Sequence, residues 1–184
     1  NCKFSLFYNG LSILNSQRVR VTDNYIYNWK LYGILGSLCS DFAYDHNHII
    51  GCDQTGAAGA YGISATGNAN GGTTQKACSI SFNEIRDIVS WDGIMTHDCD
   101  GLRIIGNDIR NVRLGLDIGS VNATTYTKNI QVIGNYIEST TTDAWGGVAA
   151  AHAGILFTGY SGSTLADTIV ISGNTISGFY ALTG

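Results

Sequence analysis

An asparagine followed two residues later by isoleucine occurs six times along this chain: Asn24/Ile26, Asn47/Ile49, Asn83/Ile85, Asn107/Ile109, Asn135/Ile137 and Asn174/Ile176. Apolar residues precede each asparagine at minus five (Val19, Phe42, Cys78, Leu102, Ile130, Ile169) and minus three (Val21, Tyr44, Ile80, Ile104, Val132, Ile171). Alternation before the asparagine and again after it reads as a strand, a bend and a second strand. The asparagines are spaced 23, 36, 24, 28 and 39 residues apart, so a unit of about 23 is enlarged by insertions in three copies. Periods of this size mark solenoids. A glycine opens a further apolar strand in each unit, at Gly10-Leu11, Gly33-Ile34, Gly62-Ile63, Gly93-Ile94, Gly115-Leu116 and Gly154-Ile155. One coil is thus expected to carry three short strands.

Composition agrees with an all-β reading. The 184 residues suit one domain, and 44% hydrophobic content supplies a core if the chain packs as a solenoid. There are 24 glycines, no proline and only 13% charged residues, and no apolar pattern at helical period. A net charge of −4 and a pI near 5.4 argue against nucleic acid as a partner, because phosphate contacts need clustered lysine and arginine. No run of 18 apolar residues and no signal peptide is present, so no membrane partner is expected. Both ends read as cuts through a longer solenoid, since terminal repeats normally need polar caps. Five cysteines (Cys2, Cys39, Cys52, Cys78, Cys99) cannot all pair, and no CxxC spacing suggests zinc. Cys78 takes a core slot that Leu102 and Ile130 fill elsewhere. Free buried thiols are the expectation, which favours folding in a reducing compartment over oxidative secretion.

The pattern overlaps the leucine-rich repeat consensus, in which asparagine also turns the chain. Leucine-rich repeats need a leucine-dominated core and a helical return, whereas here the plus-two site is always isoleucine and the return is a Gly-Ile strand. A right-handed, single-stranded parallel β-helix of about six to seven coils fits better. It forms a single domain over residues 1–184, with insertions near 51–60, 67–76, 120–128, 138–152 and 159–167. Stacked isoleucines would make an internal ladder, and stacked asparagines would satisfy buried backbone groups in the bend.

At the level of this coil repeat the chain resembles the pectin-lyase superfamily of parallel β-helices, which includes polysaccharide lyases, glycoside hydrolases and bacteriophage tailspikes. The polygalacturonase signature of that superfamily (Asn-x-Asp, Asp-Asp, Gly-His-Gly, Arg-x-Lys) is absent, as is the Asp-Pro-His motif of alginate epimerases. No catalytic assignment transfers by motif. The resemblance implies a substrate groove along the first strand of each coil, here the Gly-Ile strand.

Alternation sends the second and fourth residues after each glycine outward. The second column reads Ser12, Leu35, Ser64, Met95, Asp117, Leu156 and the fourth Leu14, Ser37, Thr66, His97, Gly119, Thr158. Only His97 and Asp117 are ionisable, on adjacent coils. Trp91, Asp92, Arg113 and His152 stand at the entry to the same strands, and the insertions fall on coils to either side, as walls would. Asp92 with Asp117 suits a carboxylate pair acting on a glycosidic bond. His97 or Arg113 suits proton transfer in β-elimination from a uronate, with arginine neutralising the carboxylate. Trp91 and Tyr126, or Trp145 and Tyr160, are the candidates for stacking on sugar rings.

Structural readings stand beside these. His97 also reads as a solvated surface histidine, Asp117 as a turn cap or partner of Arg113, and Trp91 as a corner packing residue. Asp98-Cys99-Asp100-Gly101 resembles half a calcium loop but lacks the later acidic ligands, so no metal and no cofactor is expected. His46 and His48 read as surface residues, and Glu84, Arg86, Asp108 and Arg110 as a cross-strand charge ladder. Asn122-Ala123-Thr124 is a glycosylation sequon by pattern.

The expected function is processing of an extracellular or capsular polysaccharide, by hydrolysis or β-elimination, in an extracellular or virion-surface setting such as a phage tailspike. The alternative is a non-catalytic glycan-binding or structural β-helix. Outward Leu35, Met95 and Leu156 would suit a homotrimer of side-by-side copies.

Overall fold

The computed structural model describes residues 2–5, 7–52, 59–67, 75–120, 126–139, 153–159 and 168–179. Among these residues every regular element is a strand and no helix occurs. In chain order the strands begin β1 (Lys3–Ser5), β2 (Asn9–Leu14), β3 (Arg20–Thr22), β4 (Tyr25–Trp29), β5 (Tyr32–Ser37) and β6 (Ala43–Asp45). They continue β7 (His48–Cys52), β8 (Tyr61–Thr66), β9 (Gln75–Ser81), β10 (Glu84–His97), β11 (Cys99–Ile105) and β12 (Asp108–Ser120). The last are β13 (Ile130–Ile133), β14 (Tyr136–Glu138), β15 (Ala153–Gly159), β16 (Ile169–Ser172) and β17 (Thr175–Ser177).

All pairings between these strands are parallel, and they form two open sheets. Strands of the minus-five and minus-three positions make one six-stranded sheet, in the order β16-β13-β11-β9-β6-β3. The Asn-x-Ile and Gly-Ile strands belong to a single eleven-stranded sheet rather than two separate ones. The reason lies in β10 and β12, which run through both segments with a register shift between Ile88 and Asp92 at the corner. The arrangement is compatible with a parallel β-solenoid.

Repeats stack in the register that the sequence pattern sets. Ile26, Ile49, Ile85, Ile109 and Ile137 pair in succession and are fully buried. Each contributes roughly 1.5–3 kcal/mol of apolar burial. The asparagines form a continuous ladder beside them. Asn83 donates from both its backbone N and its Nδ2 to Asn107 Oδ1 at 3.0 Å, and a second Nδ2 hydrogen bond reaches the Tyr44 carbonyl at 2.8 Å. The same three bonds recur for Asn107 with Asn135 Oδ1 and the Ile80 carbonyl. Bend polar groups that would otherwise be buried alone are thereby satisfied.

The glycine before each first strand has a packing cause. A Cβ on Gly62 would stand 2.5 Å from the Gly93 carbonyl oxygen of the next repeat and 2.7 Å from Ile85 Cγ2. Only a residue without a side chain lets the chain turn this close over the isoleucine ladder.

Corners recur at fixed positions in a left-handed backbone conformation. Before the six-stranded sheet they are Arg18, Asp41, Ala77, Gly101, Asn129 and Thr168; before the asparagines they are Asp23, His46, Phe82, Gly106, Gly134 and Gly173. Asparagine, aspartate and glycine at many of them fit this conformation at low cost. The bulky and β-branched exceptions hold it because their backbone groups bond to adjacent repeats, as Phe82 N–H does to the Ile105 carbonyl at 2.9 Å.

Candidate functional site

Strand pairing aligns Asp117 with Met95 and Leu156, and His97 with Thr66 and Gly119. Adjacent strands and alternation therefore bring the histidine and the aspartate to one spot. His97 Nε2 lies 3.6 Å from Asp117 Oδ2, with side chains 16% and 15% exposed. The Thr158 hydroxyl donates to Asp117 Oδ1 at 2.9 Å. Gly119 makes this possible, because a Cβ there would collide with Thr158. One carboxylate thus engages a hydroxyl through one oxygen and faces an imidazole through the other. A carboxylate facing an imidazole is an arrangement suited to proton transfer.

Five residues before His97 on the same strand lies Asp92, fully buried at the corner where β10 shifts register. Among the described residues neither carboxylate oxygen has a hydrogen-bond partner. Burial first, and the nearby Asp117 charge second, push its pKa well above the ordinary carboxylate range, against a smaller opposing effect of Arg113. Burial of a carboxylate favours its neutral form, since ionising it there is costly.

Arg113 is buried too, with 5% exposure. Its Nη1 donates to the Ser90 carbonyl at 3.2 Å, and its guanidinium lies 4.5 Å from the centre of the Trp91 ring. Burial lowers its pKa and Asp92 partly offsets that. Trp91 continues into Tyr61 edge-on at 6.4 Å, and Tyr61 stacks on Tyr32 at 5.2 Å. Arg113 and Trp91 thus end a row of rings running across successive repeats. Burial and then the Asp92 charge raise the Tyr61 pKa, which ties this row to the buried carboxylate.

The site is covered more than alternation alone suggests. Outward positions Ser64 and Met95 are 0% and 8% exposed, so the middle of this face is closed over while His97 and Asp117 keep limited access. Tyr126 lies elsewhere. Its ring sits 4.5 Å from Lys128 Nζ, and that ammonium pairs with Asp100 at 3.5 Å, beside the six-stranded sheet. His152, Trp145 and Tyr160 lie outside the described residues, as does most of each insertion.

Three participants escape the sequence reading. Thr158 stands in the outward column but carries no charge to single it out. Tyr32 and Tyr61 are marked only by the recurring triplet Tyr-Gly-Ile, whose tyrosine becomes Asp92 in the following repeat. Elsewhere the expected charge ladder forms, with Arg86 to Glu84 at 2.6 Å, Arg86 to Asp108 at 3.7 Å and Arg110 to Asp108 at 2.6 Å. His48 joins it through Glu84 at 2.6 Å. Among the described residues no three metal-ligating side chains converge.

No protein-family model matches the chain, and no curated protein matches it significantly.

Proposed function

We propose that this chain is a right-handed parallel β-helix of the pectin-lyase-like kind that cleaves glycosidic bonds in an extracellular or capsular polysaccharide. Its setting in this reading is extracellular or on a virion surface, as in a phage tailspike. The observation that carries the proposal is the His97–Asp117 pair at 3.6 Å on neighbouring strands of one sheet. A carboxylate facing an imidazole is a usual basis of proton-transfer roles.

His97 is the proton-transfer group and Asp117 orients it, while Asp92, five residues before His97 on β10, is the second carboxyl group of the same strand pair. In β-elimination the imidazole takes the proton α to a uronate carboxyl group. The glycosidic C–O bond then breaks, a C=C bond forms, and the leaving oxygen is protonated. In hydrolysis the same pair activates water while an acid protonates the leaving oxygen. Arg113 fits a positioning role better than direct contact with substrate, because its charge is already spent on Ser90 and Trp91.

The test is a panel of acidic and neutral polysaccharides incubated with the wild type, His97→Ala and Asp117→Asn. New reducing ends lost in both variants, with thermal unfolding unchanged, support the reading. Unsaturated-uronate absorbance in the products assigns elimination, and its absence assigns hydrolysis. Cleavage that survives both substitutions overturns the assignment.

A second reading is a non-catalytic glycan-binding or structural β-helix. The closure of Ser64, Met95 and Asp92 favours it, because substrate must displace whatever covers them to reach the acid. Binding on a glycan array without any cleaved product would select this reading.

A further inference from the structure

A second feature lies outside the candidate site, on the outer side of the six-stranded sheet. A groove of about 540 Å³ is bordered there by Lys76, Ser79, Asp100, Arg103, Asn129 and Gln131. Its origin is visible in the corner positions. Successive repeats turn at Asp41, Ala77, Gly101 and Asn129, all left-handed, so two side-chain-poor corners lie between two that carry polar side chains. A Cβ on Gly101 would stand 3.7 Å from the Ala77 backbone nitrogen, which puts the two bare corners against each other as the groove floor.

Charge in the groove is unbalanced toward the positive. Asp100 is engaged by Lys128 Nζ at 3.5 Å and by Asn129 Nδ2 at 2.7 Å. Lys76 and Arg103 are exposed, and neither has an ion-pair partner among the described residues. Strand pairing sets Arg103 between Ser79 and Gln131, and Lys76 beside Asp100. The two cations are thus separated by about three residues along the strand, roughly 10 Å at strand rise. Two cations without an ion-pair partner among the described residues thus flank one concave, amide- and hydroxyl-lined surface, in a chain with 10 lysines and arginines against 14 acidic residues.

We infer that this groove binds an oxyanion, through the Arg103 guanidinium as the bidentate contact and Lys76 as a point charge, with Ser79 and Gln131 completing the hydrogen bonds. A planar fork of donors matches carboxylate, sulfate and phosphate groups alike. The roughly 10 Å reach between the cations accommodates a monosaccharide unit carrying such a group. The inference stands apart from the polysaccharide-cleavage reading, since it uses none of His97, Asp117 or Asp92.

Calorimetric titration of the whole chain with inorganic sulfate, an oligouronate trisaccharide and a neutral trisaccharide tests it. Saturable binding of an anion, weakened roughly tenfold by Arg103→Ala and by Lys76→Ala, supports the site. An oligouronate bound well above sulfate assigns an acidic saccharide, and equal affinities assign a small inorganic oxyanion. Ala77→Asp fills the groove and adds a negative charge at a corner that aspartate tolerates, so it is expected to abolish binding while unfolding stays wild-type. Asp117→Asn must leave binding intact, which separates this site from the candidate catalytic one. No saturable anion binding at millimolar ligand, or affinity unchanged in Arg103→Ala, overturns the inference.

Discussion

The Thr158 hydroxyl donates to Asp117 Oδ1 at 2.9 Å across two neighbouring strands, and so fixes the carboxylate whose other oxygen faces His97. Removing the hydroxyl frees the carboxylate to turn without removing any charge. Thr158→Val is predicted to lower turnover on a cleaved polysaccharide about tenfold while stability changes by about 1 kcal/mol or less. Thr158→Ser should restore most of the rate. Wild-type turnover in Thr158→Val would show that Asp117 needs no such support.

Asp92 makes stability depend on pH in a definite direction. Its pKa is raised by burial and by Asp117, so the folded state keeps this proton over a range in which the unfolded chain has lost it. Stability from this residue is complete below the ordinary value of 3.8 and falls as pH rises toward the folded-state pKa. Asp92→Asn mimics the protonated form at every pH. Its melting temperature is therefore expected to exceed wild type at alkaline pH and to converge with it in acid. A variant less stable than wild type at alkaline pH would mean that Asp92 is ionised and paired in the fold.

The asparagine ladder predicts a strong dependence on position. Asn83→Ala would leave the Asn47 backbone N–H and the Tyr44 carbonyl buried without their partners. A loss of about 3 kcal/mol or more is expected in chemical denaturation. Asn24 stands at the partly exposed edge of the ladder, where water replaces what is lost. Asn24→Ala should cost about 1 kcal/mol or less. Equal losses at the two sites would refute a buried ladder as the source of stability.

Thiol chemistry gives a simpler check. Cys39, Cys78 and Cys99 are buried and Cys2 is exposed, and none of the four is in a disulfide among the described residues. Burial raises the Cys39 thiol pKa, and contact with Cys78 together with burial raises that of Cys99. Native protein treated with a thiol-specific reagent should label Cys2 quickly, and Cys39, Cys78 and Cys99 only after denaturant is added. Rapid native labelling of Cys78 by peptide mapping would contradict the packing described.

Much of the architecture is local enough to be written in the chain. Strand alternation and the repeated Asn-x-Ile triplet determine which residues face inward, because identical positions in successive repeats meet the same neighbours. That reasoning places Ile85 against Ile49 and Ile109, Cys78 against Leu102, and His97 beside the strand that carries Asp117. The left-handed corners at Ala77, Phe82 and Thr168 carry no such mark; at Phe82 and Thr168 backbone bonds to adjacent repeats accompany the conformation rather than side-chain preference.

By itself, then, the sequence determined the period, the strand register and the two outward columns that contain His97 and Asp117. Tertiary structure alone decided that Asp92, Ser64 and Met95 are closed off, that Thr158 holds Asp117, and that two bare corners open a cationic groove around Arg103. The physical reason is that facing is a property of one strand and its period, whereas exposure, pairing and protonation depend on atoms contributed by other repeats. A carboxylate one residue before a glycine reads the same in the chain whether it meets water or is buried at a corner between repeats.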